Sequence, residues 1–362
     1  MVPSWDLSLR GLDEASGGIV CGLSGLSSTL SRVAGMLFDE ARADIKNACP
    51  RLLGDEHGYD YSLPTFLAFR HPDYVVDSPA GTSATKVYDE SLHGPLYGEF
   101  TEIRRKFDYS WHTNYTRERQ LWQDKIVRGI LQSSLPRENP WIIFTGGAMG
   151  AGKGYVMRHL SKHTAFPLED MVCVDPDHFK HMMPEWDGYI KLRREDAGTL
   201  CHKESGFIQE LAQEAAMVGH RNLWIDGSLS DAEWYRNVFR DVRERFPRYR
   251  IAIVYVHCAP EQVHAQAARR GLETGRVVPR PMVEKSIRMT RRSINILAPL
   301  ADFAAHVDNR KGQWVSDTHK RLPQIPERKV SRGWTDLVAA VNKECSSPVL
   351  RVFKMSPAAS CN

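Results

Sequence analysis

The residues most able to do chemistry stand in one run, Trp141-Ile-Ile-Phe-Thr-Gly-Gly-Ala-Met-Gly-Ala-Gly-Lys-Gly154. Gly147, Gly152 and Lys153 satisfy G-x-x-x-x-G-K, directly after an apolar strand-like stretch and before a helix-period one. Glycines let a backbone turn its N–H groups inward around phosphate oxygens, and the following helix N-terminus adds a positive dipole. Lys153 then acts as a mobile point charge on the β- and γ-phosphates of a nucleoside triphosphate. The expected nucleotide-binding residues are Gly147, Ala148, Met149, Gly150, Ala151, Gly152, Lys153, Gly154 and Tyr155. A Gly-rich turn with a chance lysine is the plainer reading, and strand, loop and helix standing in register weigh against it.

Gly154 occupies the position where a Ser or Thr hydroxyl usually holds Mg²⁺. Adenylate kinases also carry Gly there, although Thr follows in them and Tyr155 follows here. Magnesium ligands must then come from water, acidic loops and the nucleotide. Two acidic loops are on offer. Val172-Cys-Val-Asp175-Pro-Asp177-His-Phe-Lys180 puts two carboxylates just past a buried strand, where ligands gather in an open parallel sheet. Transfer to a hydroxyl needs an acceptor for its proton and a hard anion near the metal, and this pair offers both. Capping of the next helix is the plainer role, and it excludes neither. Leu223-Trp-Ile-Asp226-Gly-Ser228 is a second apolar run ending in an acid, like a Walker-B strand. Asp226 is a candidate for substrate placement or, with Asp175, for holding magnesium through water.

Between Arg248 and Arg292 stand nine Arg and one Lys against three Glu, a local charge of +7 that leaves −3 for the rest of the chain. Arg269-Arg270-Gly-Leu-Glu-Thr-Gly-Arg276-Val-Val-Pro279 reads as a loop or lid between two helices. Guanidinium forks there suit the negative charge that phosphoryl transfer spreads over oxygen. A solvated basic face is the ordinary reading of Arg288, Arg291 and Arg292, and a nucleic-acid patch lacks the interleaved aromatics it needs. His159 and His163 have i, i+4 spacing without the Glu of a zinc helix, so they read as a solvated face. The aromatic group from Phe107 to Tyr115, with Leu121, Trp122 and Ile126, reads as packing against the sheet. Substrate stacking by Tyr109 or Trp111 is the alternative.

These residues must be positioned by an α/β core. Short apolar runs at Trp141–Thr145, Met171–Val174, Leu223–Ile225, Ile251–His257 and Phe303–Val307 alternate with helix-period segments, as in a parallel sheet covered on both faces. Ser230-Asp-Ala-Glu233 is a capping-box pattern before Trp234, Val238, Val242 and Phe246. Phe207, Ile208, Leu211, Ala212, Ala215 and Ala216 form a second stripe ended by Gly219. The expected fold is a P-loop NTPase-like three-layer α/β core with a mainly parallel sheet, plus a mixed or helical N-terminal extension. It spans residues 106–310, after an extension over 1–105 with a helix near Ser28–Ala43. A tail over 311–362 carries a helix at Trp334–Cys345. With 362 residues, 42% hydrophobic, a net charge of +4 and seven scattered cysteines without C-x-x-C, the chain excludes wholesale disorder, a disulfide framework and a zinc ribbon. No apolar run reaches the roughly 18 residues of a membrane span, and no signal-peptide pattern opens the chain. It reads as a soluble cytoplasmic protein.

In motif order the chain resembles the zeta-toxin family of P-loop kinases. The run is Gly-Gly-Ala-Met-Gly-Ala-Gly-Lys153, Val-Asp175-Pro-Asp177-His-Phe-Lys with Met183-Pro184, His202-Lys-Glu204-Ser, Ile225-Asp-Gly-Ser228, and Thr274-Gly-Arg276-Val-Val-Pro. The resemblance covers about residues 140–308. It implies an ATP- and Mg²⁺-dependent transfer of the γ-phosphoryl group to a hydroxyl. In bacterial members the acceptor is UDP-N-acetylglucosamine, and a neutralising antitoxin is the partner. It also implies that Lys153 is the phosphate-loop lysine and Asp177 the base. Arg276 and either Arg270 or Arg269 stabilise charge, and Asp175, Glu204, Asp226 and Ser228 lie toward the substrate. The alternatives are a nucleotide kinase or ATPase, and a nucleotide-dependent binding module whose chemistry was lost with Gly154.

Overall fold

The five apolar runs become five strands: β1 (Trp141–Gly146), β2 (Val172–Val174), β3 (Leu223–Asp226), β4 (Arg250–His257) and β5 (Phe303–Asp308). The computed structural model describes residues 58–76, 85–164, 166–274, 278–309 and Leu337. The strand order is β2-β3-β1-β4-β5, and every pairing is parallel. β1, at the centre, is buried at all six positions. That is why it reads as continuous apolar residues rather than as an alternation. Register places Thr145 beside Asp226 and Val174 beside Ile225, so Gly146, Asp226 and Asp175 lie together at the carboxyl edge.

Among the described residues the longer helices are α1 (Arg117–Leu131), α2 (Lys153–Thr164), α3 (Pro176–Met182), α4 (Trp186–Leu192), α5 (His202–Val218), α6 (Ala232–Arg245), α7 (Pro260–Thr274) and α8 (Arg280–Leu297). On one face, Ile143, Val254 and Val256 pack with Val156 and Met157 of α2, Val263 of α7 and Val283 of α8. On the other, Phe144 meets Tyr235 and Phe239 of α6 at ring separations of 5.8 and 5.0 Å. Two covered faces make the three-layer P-loop NTPase-like architecture. No helix among the described residues is long and apolar enough to cross a membrane.

Four local expectations are corrected. The cap of α6 is Asp231, which accepts from the Trp234 N–H at 3.0 Å, whereas the Ser230 hydroxyl pairs with Ser228. In the buried stripe of α6 the expected Val242 is joined by Tyr235 and Phe239, each one residue along from the expected Trp234 and Val238, and Trp234 is exposed. Arg269 and Arg270 are helical, in the last turns of α7, because the helix runs on to Thr274. Of the aromatic group, Phe107, His112 and Tyr115 all meet Phe207 of α5 rather than a strand, whereas α1, which carries Trp122 and Ile126, adjoins β2. The described part of the first stretch is built onto this core. Tyr59 hydrogen-bonds Tyr189 at 2.8 Å, Tyr189 donates to the Leu63 carbonyl, and Arg104 pairs with Asp124 of α1 at 2.7 Å. The helices expected near Ser28–Ala43 and at Trp334–Cys345 lie outside the described residues, apart from Leu337, which is buried in the core cluster.

Candidate functional site

The phosphate loop owes its shape to glycines. Gly150 (φ 93°) and Gly152 (φ 81°) are in the left-handed region. A Cβ on Gly150 would lie 2.6 Å from the Val263 carbonyl, and one on Gly152 would lie 2.7 Å from Asn309 Nδ2. The loop is also strapped from outside. Met149 N–H donates to Ser286 Oγ of α8 (3.0 Å), Gly147 N–H to the Ser228 carbonyl (3.2 Å), and Asn309 Nδ2 to the Ala151 carbonyl (2.8 Å). Lys153 opens α2, whose first-turn N–H groups lack intrahelical acceptors and point toward the loop. Its ammonium rests 3.3 Å from the Gly147 carbonyl. Tyr155 is exposed. Gly154 has ordinary helical freedom, and a side chain there would meet only the guanidinium end of Arg158, at 3.3 Å.

The acids stand on the two neighbouring strand ends. Asp175 caps α3 and accepts from the Asp177 N–H at 2.9 Å. Its carboxyl is pushed up to about 6, first by burial and then by the charges of Asp226 and Asp177. Asp226 accepts from Thr145 Oγ1 at 2.7 Å. Asp177, in the first turn of α3, is gripped from two sides, by Lys180 Nζ at 3.3 Å and the Arg270 guanidinium at 3.8 Å. Arg270 thus reaches from α7 to the Asp175-Asp177 loop. Arg276 lies outside the described residues. Ser228 sits at the β3 edge, its carbonyl accepting from Gly147 N–H and Thr290 Oγ1.

Glu204, expected toward the substrate, is corrected. It is fully buried, and both of its oxygens are taken by Arg119, with Gln123 on one of them. Arg119 also holds Glu185 bidentately, so Glu204 belongs to an interior ion cluster rather than to a surface that a ligand can reach. Tyr109 is likewise fully buried, which removes it from any stacking role, while Trp111 is exposed. Reading the sequence missed Lys180, Ser286, Asn309 and Arg158. Lys180 was legible, because i, i+3 spacing puts it beside Asp177 on a helix. Ser286 and Asn309 come from sequence-distant elements, and no local pattern marks them.

Among the described residues no three His, Cys, Asp or Glu side chains converge as a metal cage. Asp175 and Asp226, on neighbouring strand ends, are the acids that a cation could meet at this edge. The model of the zeta toxin family matches residues 98–318, more than half of the chain. No curated protein matches the chain. Among solved structures, one from the PezAT chromosomal toxin–antitoxin system of the human pathogen Streptococcus pneumoniae aligns with a TM-score of 0.47 at 15% identity. That alignment covers 67% of this chain and 98% of that one. The AvrRxo1-ORF1:-ORF2 structure with ATP aligns with a TM-score of 0.43 at 16% identity, over 56% of this chain and 67% of that one. On the family match, the chain is a member of the zeta-toxin family.

Proposed function

We propose that the protein is an ATP-dependent kinase that transfers the γ-phosphoryl group to a hydroxyl of a small-molecule acceptor. The observation that carries this reading is the juxtaposition at one sheet edge. The left-handed glycine loop and Lys153 on β1–α2 share that edge with Asp226 and Asp175, and Asp177 follows on α3. In this reading the loop N–H groups and Lys153 bind and orient the triphosphate. Asp177 takes the proton from the acceptor hydroxyl, held in place by Lys180 and Arg270. Arg270 faces the charge that develops on the transferred oxygens, a role that the family resemblance gives to Arg276 as well. Asp175 and Asp226 fit a water-bridged Mg²⁺, since their mutual repulsion already raises Asp175 and a cation relieves it. Asp175 and Asp226 would hold such an ion, whose chemistry would be to offset charge on the phosphate oxygens.

The acceptor first in line is a nucleotide sugar such as UDP-N-acetylglucosamine, following bacterial members of the family. The test is γ-labelled ATP with a panel of nucleotide sugars and other hydroxyl metabolites, run on the protein and on Lys153→Ala. Label on an acceptor, lost in the folded variant, is the expected result. Free phosphate with no labelled acceptor makes the protein an ATPase. Turnover unchanged in Lys153→Ala overturns the assignment.

A further inference from the structure

A cavity of about 670 Å³, within the size range of small-molecule sites, opens between the segment after β3 and the exposed side of α8, with Met149 of the phosphate loop on its wall. Four charged side chains line it: Lys285 and Arg292 from α8, Asp231 and Glu233 from the other side. The carboxylates are already engaged. Asp231 caps α6 through the Trp234 N–H at 3.0 Å, and Glu233 pairs with Arg236 at 3.1 Å. The cations have no ion-pair partner among the described residues. With Glu233 balanced by Arg236, Lys285 and Arg292 face the one carboxylate of Asp231, which a backbone N–H stabilises without neutralising, so the charge on these walls is net positive. Lys285 and Arg292 lie seven residues apart, two helical turns, or roughly 10 Å along α8, so one elongated anion can touch both. The Met149 and Met289 thioethers beside them suit an organic body.

We infer that this cavity is an anion-binding site that seats the phosphate or carboxylate end of the acceptor on Lys285 and Arg292. The acceptor's place in it rests on the kinase reading above; the anion site itself does not. The link to the chemistry is direct, since Ser286, next to Lys285 on α8, is the residue that receives the Met149 N–H of the phosphate loop. A ligand held here lies against the outer wall of that loop. Arg292, which the sequence placed on a solvated basic face, is thereby separated from Arg288 and Arg291, which do not line the cavity.

Inorganic pyrophosphate is the probe, titrated calorimetrically into the full chain at fixed ionic strength. Two sites are expected. Lys153→Ala removes the loop site and spares the other. Lys285→Ala with Arg292→Ala weakens the second site at least about tenfold and spares the first, because two charge-assisted contacts are lost. The charge-matched control, Arg288→Ala with Arg291→Ala, changes the second site less than about threefold, as screened surface charges do. A single site that vanishes with Lys153→Ala, or equal weakening in the two α8 pairs, overturns the cavity site. Failure of the kinase reading shows differently, as absent phosphoryl transfer with the second site intact.

Discussion

At the scale of single residues, the two carboxylates after β2 divide their labour by environment. Asp177 is paired with two cations, whereas Asp175 is half-buried beside another acid. As the proposed base, Asp177 acts mainly in the transition state. Asp177→Asn is expected to lower kcat by about 10²–10³ while leaving ATP affinity within a few-fold. Steady-state kinetics check this, and a severe Asp175→Asn beside a mild Asp177→Asn reverses the assignment. Asp175 carries a pH signature of its own. Its folded value is raised to about 6 from 3.8, so between those limits the folded chain binds more protons than the unfolded one. Its contribution therefore falls as pH rises through that window and is a full cost at neutral pH. Asp175→Asn, which keeps the helix cap, should stabilise the metal-free protein at pH 7.5 by about 2 kcal/mol. It should give little at pH 4. Urea midpoints at the two pH values test it, and an equal change at both would assign the effect to something other than this carboxyl.

At the scale of elements, the loop joining β1 to α2 separates glycines that the backbone needs from one that it does not. Gly150 and Gly152 have left-handed φ and no room for a Cβ, whereas Gly154 has neither restriction. Gly154→Ser should keep the transfer rate within about threefold and tighten Mg²⁺, since it restores the usual hydroxyl ligand and displaces only the mobile end of Arg158. Gly150→Ala should abolish nucleotide binding. Nucleotide and Mg²⁺ titrations of the two variants decide, and a Gly154→Ser protein as impaired as Gly150→Ala would mean that the backbone there is also constrained. This loop was legible in the sequence because its motif is local and its strand is buried on both faces, which leaves a continuous apolar run. The β2 and β3 ends were legible for the same reason. Tertiary contact decided what was not legible. On α6 two positions moved by one residue because Phe144 selects Tyr235 and Phe239, and α7 ran through Arg270 to Thr274 because the isolated Gly271 costs a helix only about 1 kcal/mol. The role of Glu204 was hidden by its partners, since Arg119 lies 85 residues away in sequence.

That arginine acts at the scale of the whole molecule. Arg119, fully buried on α1, binds Glu185 just before α4 and Glu204 on α5. Its guanidinium also lies 4.0 Å from the ring centroid of Phe69, within residues 58–76, and 4.2 Å from that of Trp122. One side chain thus ties the segment before the zeta-toxin match to three helices of the core. Burial works against its charge, but the two carboxylates outweigh that and hold its pKa above the ordinary value, while burial raises Glu185. The cluster has one positive and two negative members, so removing the cation is far worse than removing an acid. Arg119→Met leaves two buried carboxylates with no counter-charge and should cost about 3–5 kcal/mol at pH 7.5. In that variant Glu185, which burial already raises, loses the counter-charge that lowers it, so the deficit should shrink as pH falls toward 5 and the folded state takes up protons. Adding Glu185→Gln and Glu204→Gln to Arg119→Met should recover part of the loss at neutral pH. Those amides no longer need a counter-ion, only hydrogen bonds. Denaturant midpoints of the single and triple variants at pH 5 and 7.5 make the test. A pH-independent loss, the same in both variants, would assign Arg119 to packing against Phe69 and Trp122 rather than to charge.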